Sequence, residues 1–468
     1  MLVNSNNDKK KITSILFYYS SELRHHRSRG IDTMHFGLTL FLKLRRKDGR
    51  HETVWANQEL PIDSFIHSFG SSCCKFILKH NKSIAMASST TENPRMDISS
   101  ILEGLKRLSL SLRDLEDRKS HTLGHYKEIP KNVQQSYDVM QKGASLVHAT
   151  STKYTLLGKL SAEEQERIAQ DLLRGCQLVA TGALVIFDNS YGCCRSTRFH
   201  SKRAARGVVA TVISLVEAFA EAQASGSTHT EILEKDNNVG AQKCGAVWQT
   251  CDAFINKKVP QGNRNAMRRD LFTWMMECNE TMEEFQELID RGPIKSSDNL
   301  MASKKKVDFT AEMSFEEFCQ ADAGEQYTEK EMEIAKPVVA LIKCSRGSIN
   351  VTLKASDCAG DIVTNLSSTE ENDEKRVAAL EWIGKVHDLA RTVGEEMTDL
   401  GTLLYPTLAP DDIEKKGMEQ AQAVSALLEF VLDAEFELSE EVTEMATKIR
   451  NGLQVRRDEL TKAVEASK

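Results

Sequence analysis

The sequence predicts an all-α protein: two tandem antiparallel helical bundles joined by an acidic linker. Three observations carry this. Eight prolines and 25 glycines in 468 residues fall below the average usage of roughly 5% and 7%, so helix breakers are scarce. Aromatic residues make up 6% and charged residues 28%, a balance that suits long amphipathic helices better than sheets. From Asp97 onward, apolar residues recur at alternating steps of four and three, the spacing of a single helical stripe. The length exceeds what one core serves and favours about two to three domains.

Charge divides the chain before the helices begin. The whole carries 61 Lys+Arg against 68 Asp+Glu, a net of −7. Residues 1–85 hold 14 basic and 7 acidic side chains, and the remainder 47 against 61. Residues 1–94 therefore read as a basic, disordered leader. Its apolar runs, Ile12–Tyr19 and Leu38–Leu44, are short and keep no sustained period, offering little area to offset ordering entropy. Its acids argue against an organelle-targeting peptide. We expect the true start at Met86, the upstream stretch then extending the gene model; a small independent domain is the alternative. No apolar run reaches the ~18 residues of a membrane span. Eleven cysteines, unpaired in spacing apart from the doublets Cys73–Cys74 and Cys193–Cys194, suit a reducing compartment rather than a disulfide scaffold.

The first bundle is expected over 95–292. Ile101, Leu105, Leu108, Leu112 and Leu115 line a first helix. Pro130 suits the first turn of a second, whose stripe is Val133, Tyr137, Met140, Ala144, Val147, Ser151 and Tyr154. Ser161 and Glu164 have capping-box spacing before a third, lined by Ile168, Leu172, Cys176, Val179, Ala183 and Ile186. A fourth covers about 197–224, with Val208, Val212, Leu215, Val216 and Phe219 inward. A fifth holds Val247, Cys251 and Phe254 and ends at the turn Val259-Pro260-Gln261-Gly262-Asn263. The sixth carries Met267, Leu271, Trp274, Cys278, Met282, Phe285 and Leu288, closed by Gly292-Pro293.

Residues 293–327 read as an acidic linker; from Asp308 to Glu333 there are nine acids and one lysine. Thr328 and Glu331 then form a capping box opening a second bundle over 328–468. Its first helix, 329–353, holds Pro337 near its start. Val377, Leu380, Ile383 and Val386 line the next, Pro406 and Pro410 punctuate, and two helices follow over about 411–436 and 439–466.

Catalytic templates fail. GxxxxGK[ST], GxGxxG after a strand, GxSxG and HExxH are all missing. The sole Glu-x-x-His, Glu22–His25, is a single copy in the leader, whereas a dinuclear bundle site needs two. Cys193, Cys194 and His200 lack the spacing of a zinc site. Cys176, Cys244, Cys251 and Cys278 lie on or beside apolar stripes, where cysteine packs as a small hydrophobe. His148 and His387 have no neighbouring nucleophile and read as ordinary helical histidines. The expectation is a non-enzyme without metal or cofactor.

One charged feature rises above background. Arg195, Arg198, Lys202 and Arg206 step by three, four and four, Arg203 lies beside them, and no acid intervenes between Asp188 and Glu217. They are the candidate docking residues, for an acidic partner, a phosphate or the acidic linker; an ordinary exposed face is the plainer alternative. Nucleic acid is disfavoured by the acidic body and by aromatics that do not interleave the basic residues. The acidic 308–333 stretch reads as a solvated linker or a tethered electrostatic partner.

Several stretches together resemble the cyclin-D1-binding protein family, the D-type-cyclin-interacting, dominant-negative helix-loop-helix-like proteins. They are Lys202-Arg203-Ala204-Ala205-Arg206-Gly207, Gly245-Ala246-Val247-Trp248-Gln249-Thr250-Cys251, Asn263-Arg264-Asn265-Ala266 and Met282-Glu283-Glu284. Beyond the acidic interruption come Glu333-Ile334-Ala335-Lys336-Pro337-Val338-Val339-Ala340-Leu341, Met397-Thr398-Asp399-Leu400 and Leu404-Tyr405-Pro406. The resemblance implies a two-bundle, non-enzymatic protein of cytoplasm and nucleus. It would bind D-type cyclins or helix-loop-helix regulators and restrain cell-cycle progression, without direct nucleic-acid or membrane binding. A tandem-bundle cytoskeletal or adhesion scaffold of the vinculin and catenin kind is the alternative.

Overall fold

The structure, a computed structural model, describes residues 15–28, 31–45, 51–59, 98–115, 123–155, 162–224, 239–294, 326–366 and 370–468. The chain divides into two units, Met1–Pro94 and Arg95–Lys468.

In the first unit the backbone forms three antiparallel strands in the order β1-β2-β3: β1 (Ile15–Ser28), β2 (Ile31–Arg45) and β3 (His51–Glu59). The sequence predicts a disordered leader over 1–94, and these strands are the described part of that span. The two short apolar runs have no helical period because they are strand partners, Ile15–Tyr19 lying opposite Leu40–Leu44 in register.

The second unit is all-α, as predicted, with ten α-helices among its described residues. They are α1 (Ile98–Arg113), α2 (Lys131–Thr155), α3 (Ala162–Ile186), α4 (Arg195–Ala224) and α5 (Val239–Ile255), then α6 (Gly262–Asp290), α7 (Glu329–Asn365), α8 (Glu370–Thr402), α9 (Pro410–Leu432) and α10 (Glu440–Ser467). The stripes read from sequence are the buried ones: all seven residues on α2 and all six on α3 lie inside. Helices α2 and α3 touch backbone to backbone, because a Cβ on Gly143 would meet the Gly175 carbonyl at 2.7 Å. Thr328 and Glu331 form the expected capping box on α7. Ser161, half of the other predicted box, lies outside the described residues. Val377 departs from its stripe and is 51% exposed, while Leu380, Ile383 and Val386 are buried; the burying face of α8 begins one turn later.

Two hydrophobic cores form within this unit. Helices α1–α5 build the first, around Leu105, Met140, Leu172, Val212 and Cys251. Helices α6–α10 build the second, around Leu271, Leu341, Ile383, Val424 and Leu453. The sixth helix thus packs differently from the expected 95–292 bundle. Met267, Leu271, Cys278 and Phe285 all face the second core, and α6 lies along α7 and α8. Its heptad stripe was legible, but a stripe does not say which partner covers it. Of the expected linker, residues 295–325 lie outside the described residues. The flanks meet, the Ile294 N–H donating to the Tyr327 carbonyl at 2.9 Å, so α6 and α7 are neighbours.

The cores are tied at one polar knot. Asn263, fully buried in the first turn of α6, donates from Nδ2 to the His125 and Gly192 carbonyls at 2.7 and 2.9 Å. Its Oδ1 accepts the Cys194 N–H at 2.8 Å and the Thr197 hydroxyl at 2.9 Å. All four hydrogen-bonding positions of the amide are used.

Candidate functional site

An open groove of about 830 Å³ lies between α4, α5, α6 and α8. It begins with the geometry of α4. Residues four apart share a helix face, so Arg195, Phe199 and Arg203 form one outward edge; all three are exposed, Phe199 by 51%. The residues one position on, Ser196, His200 and Ala204, line the groove's inner side, the first two bonded to Asp270 of α6. Gln249, Thr250 and Ala253 come from α5, Lys258, Val259 and Pro260 from the turn after it, and Arg269, Thr273 and Trp274 from α6. Arg391 and Glu395 of α8 complete the wall.

Hydrogen bonds hold this wall in place. The His200 Nε2 lies 2.7 Å from the Asp270 Oδ1, and His387 Nε2 lies 3.9 Å from the other carboxylate oxygen. Burial alone would push the Asp270 carboxyl up, but hydrogen bonds from His200 and Ser196 and the facing histidines outweigh it and hold it below the ordinary carboxylate range. His387 is buried beside Trp274, their ring centres 5.4 Å apart, and burial pushes its imidazole down to about 4. Arg269 Nη1 donates to the Lys258 carbonyl at 2.6 Å, fixing the turn against α6. Five cations, Arg195, Arg203, Lys258, Arg269 and Arg391, line the groove against two carboxylates, Asp270 and Glu395. The groove is basic on a body whose sequence balance is acidic.

The five candidate docking residues do not share one face. Arg198 is 2% exposed and donates Nη2 to the Asn189 Oδ1 at 2.9 Å, with its guanidinium 5.9 Å from the Phe187 ring centre. Lys202 donates to the Arg113 and Leu115 carbonyls at 2.9 and 2.6 Å, closing the carboxyl end of α1. These two serve the fold. Arg195 and Arg203 line the groove, and Arg206 is exposed further along α4. The expected stripe stepped through 198 and 202, whereas the outward edge steps through 199 and 203. That edge does interleave an aromatic ring, Phe199, which the sequence reading passed over. Lys258, Arg269 and Arg391 were also missed, since only the packing of α5 with its turn, α6 and α8 brings them beside α4.

Other candidates resolve into packing. Cys176, Cys244, Cys251 and Cys278 are buried thiols, and burial pushes those of Cys251 and Cys278 up to about 12, away from thiolate chemistry. His148 stacks on Trp248 at 5.5 Å. Among the described residues, no group of three or more His, Cys, Asp or Glu could hold a metal ion. No helix among them is long and apolar enough to cross a membrane.

The fold and this groove define a helical-bundle protein with a basic cleft. Residues 139–291, from within α2 to the end of α6, match the family described as Grap2 and cyclin-D-interacting, N-terminal. Over this segment the match supports the resemblance to the cyclin-D1-binding protein family. It contains the α4, α5 and α6 walls of the groove and the Asn263 knot; the Arg391 wall lies outside it. No curated protein matches the chain.

Proposed function

We propose that this chain is a non-enzymatic interaction protein that binds a D-type cyclin or a helix-loop-helix regulator and, by holding it, restrains cell-cycle progression. One observation carries the reading: the matched family is named for cyclin-D interaction, and the matched residues 139–291 include three of the four helices that build the basic groove. Helical bundles present grooves to partner helices, which is chemistry this surface can perform without a cofactor. The proposed places of action are cytoplasm and nucleus, to be checked by microscopy of the tagged chain.

The test is calorimetry of the full chain with a purified D-type cyclin and with a helix-loop-helix domain. Saturable binding to either, weakened by salt, supports the reading; failure to bind both removes it. Docking is to be probed at Arg195, Arg203 and Arg206, because reversing Arg198 or Lys202 would test folding. A cytoskeletal scaffold of the vinculin and catenin kind would instead pellet with actin filaments.

A further inference from the structure

We propose that the groove between α4, α5, α6 and α8 receives an acidic amphipathic helix of a protein partner. The inference rests on the partner-binding reading above and adds what the bound element is made of.

Charge sets the sign of the occupant. Five cations face two carboxylates; Asp270 is engaged by His200 at 2.7 Å and Arg391 is paired with Asp388 of its own helix, and the lining stays net positive. From residue 86 on the chain has 47 basic and 61 acidic side chains, so the groove is a basic site on an acidic protein. An opposed local field of this kind steers an acidic segment to one place and discriminates against others. An acidic body repels a long polyanion such as duplex DNA, whose charge extends well beyond the groove.

Apolar side chains determine that the occupant is amphipathic. Phe199 stands 51% exposed between Arg195 and Arg203. Ala204, Gly207 and Ala253 leave the space between α4 and α5 unfilled. Small residues along the trough, an exposed ring at its edge and cations around them suit a narrow apolar stripe flanked by acids. The span supports a helix: Arg195 to Arg203 covers about 12 Å, two turns of a partner lying alongside. Free phosphate would need converging buried donors, whereas Arg195, Arg203, Lys258 and Arg269 are exposed along the rim.

The probe is a fluorescein-labelled 18-residue peptide with leucine at helical i, i+4, i+7 and i+11 and glutamate over most other positions. Its anisotropy is followed against the full chain. The proposal expects saturable binding that weakens with salt and is lost when every glutamate becomes glutamine or every leucine becomes serine. It expects a fall of about tenfold or more for Arg195→Glu with Arg203→Glu, and about fivefold for Phe199→Ala. Lys462→Glu, on α10, should bind as the unaltered chain does. Circular dichroism melts confirm that each variant is folded, and Arg203→Gln serves should the double reversal fail to fold. Absence of binding, equal binding by the glutamine peptide, unchanged affinity in the groove variants, or displacement by a DNA duplex in preference to the peptide would each overturn it. If cyclin still binds the groove variants while the peptide never does, the groove inference fails and the partner-binding reading stands. If the peptide binds and neither regulator does, the reverse holds.

Discussion

The Asn263 side-chain oxygen accepts the backbone N–H of Cys194 at 2.8 Å across 69 residues of chain. The same amide also bonds to Thr197, His125 and Gly192, so one side chain holds the entry to α4, the 123–130 segment and the start of α6 together. Truncating it strands buried partners at about 1–3 kcal/mol each. Asn263→Ala should therefore lose about 3 kcal/mol or more, read from urea denaturation. Asn263→Asp keeps both acceptor roles and loses both donor roles, and should be clearly destabilised as well.

Gly192 adopts φ +59° after the short 3-10 turn Asn189–Tyr191, and a Cβ there would stand 2.4 Å from the Gly124 Cα. Its carbonyl already accepts the Gly124 N–H at 3.0 Å. A left-handed backbone costs a non-glycine residue about 1–2 kcal/mol, and backbone atoms cannot step aside as a flexible side chain would. Gly192→Ala is expected to destabilise by about 2 kcal/mol or more, with a lowered thermal midpoint.

Acid should weaken the fold well above the ordinary carboxylate range. Burial pushes His387 and His125 from 6.5 down to about 4. Between those values the unfolded chain takes up a proton that the folded chain refuses, so stability is lost as pH falls through this window. Each histidine contributes up to about 3 kcal/mol of that loss. The facing groups at His387 are the Asp270 and Asp388 carboxylates, which favour its proton, and Arg391, which opposes it. Asp270, held below the usual range, adds stability at higher pH that disappears as pH falls through its own folded value. Denaturation midpoints at pH 7.5, 6 and 5 should fall in that order, and His387→Gln should flatten the slope by one proton's worth.

Asp357 of α7 receives two arginines of α6: Arg264 Nε donates at 2.9 Å to one carboxylate oxygen and Arg268 donates to the other. The group is partly exposed, its side chain 27% accessible, so solvent screens it. Asp357→Ala should cost about 1–2 kcal/mol, and less in molar salt, measured as a difference between low-salt and high-salt denaturation curves.

Much of the helical fold could be read ahead because burial follows a period of 3.6. The stripes Val133–Tyr154 and Ile168–Ile186 needed nothing beyond spacing, and the Thr328–Glu331 box is a purely local signal. What depended on distant packing was not legible. Phe285 and Cys278 have the same heptad spacing whether they face α4 or α7, and only the three-dimensional arrangement decides. The groove was half legible for the same reason. Arg195 and Arg203 stood out as a basic run, but Arg198 and Lys202 carry the same charge while bonding inward to Asn189 and to the end of α1. Charge alone does not reveal which way an arginine points.

Helix α6 opens in the polar knot at Asn263, reaches α4 again through Asp270 and His200, and turns its apolar stripe to the second core with α7 and α8. The helical unit consequently has no clean seam. Cutting the chain at residue 292 would leave Met267, Leu271, Cys278 and Phe285 facing water, a greasy strip inviting self-association. Cutting at residue 261 would instead strip the partner from Cys194 and Thr197 and unsettle the first turn of α4. Either severed half inherits a defect, so the two cores should melt in a single cooperative transition.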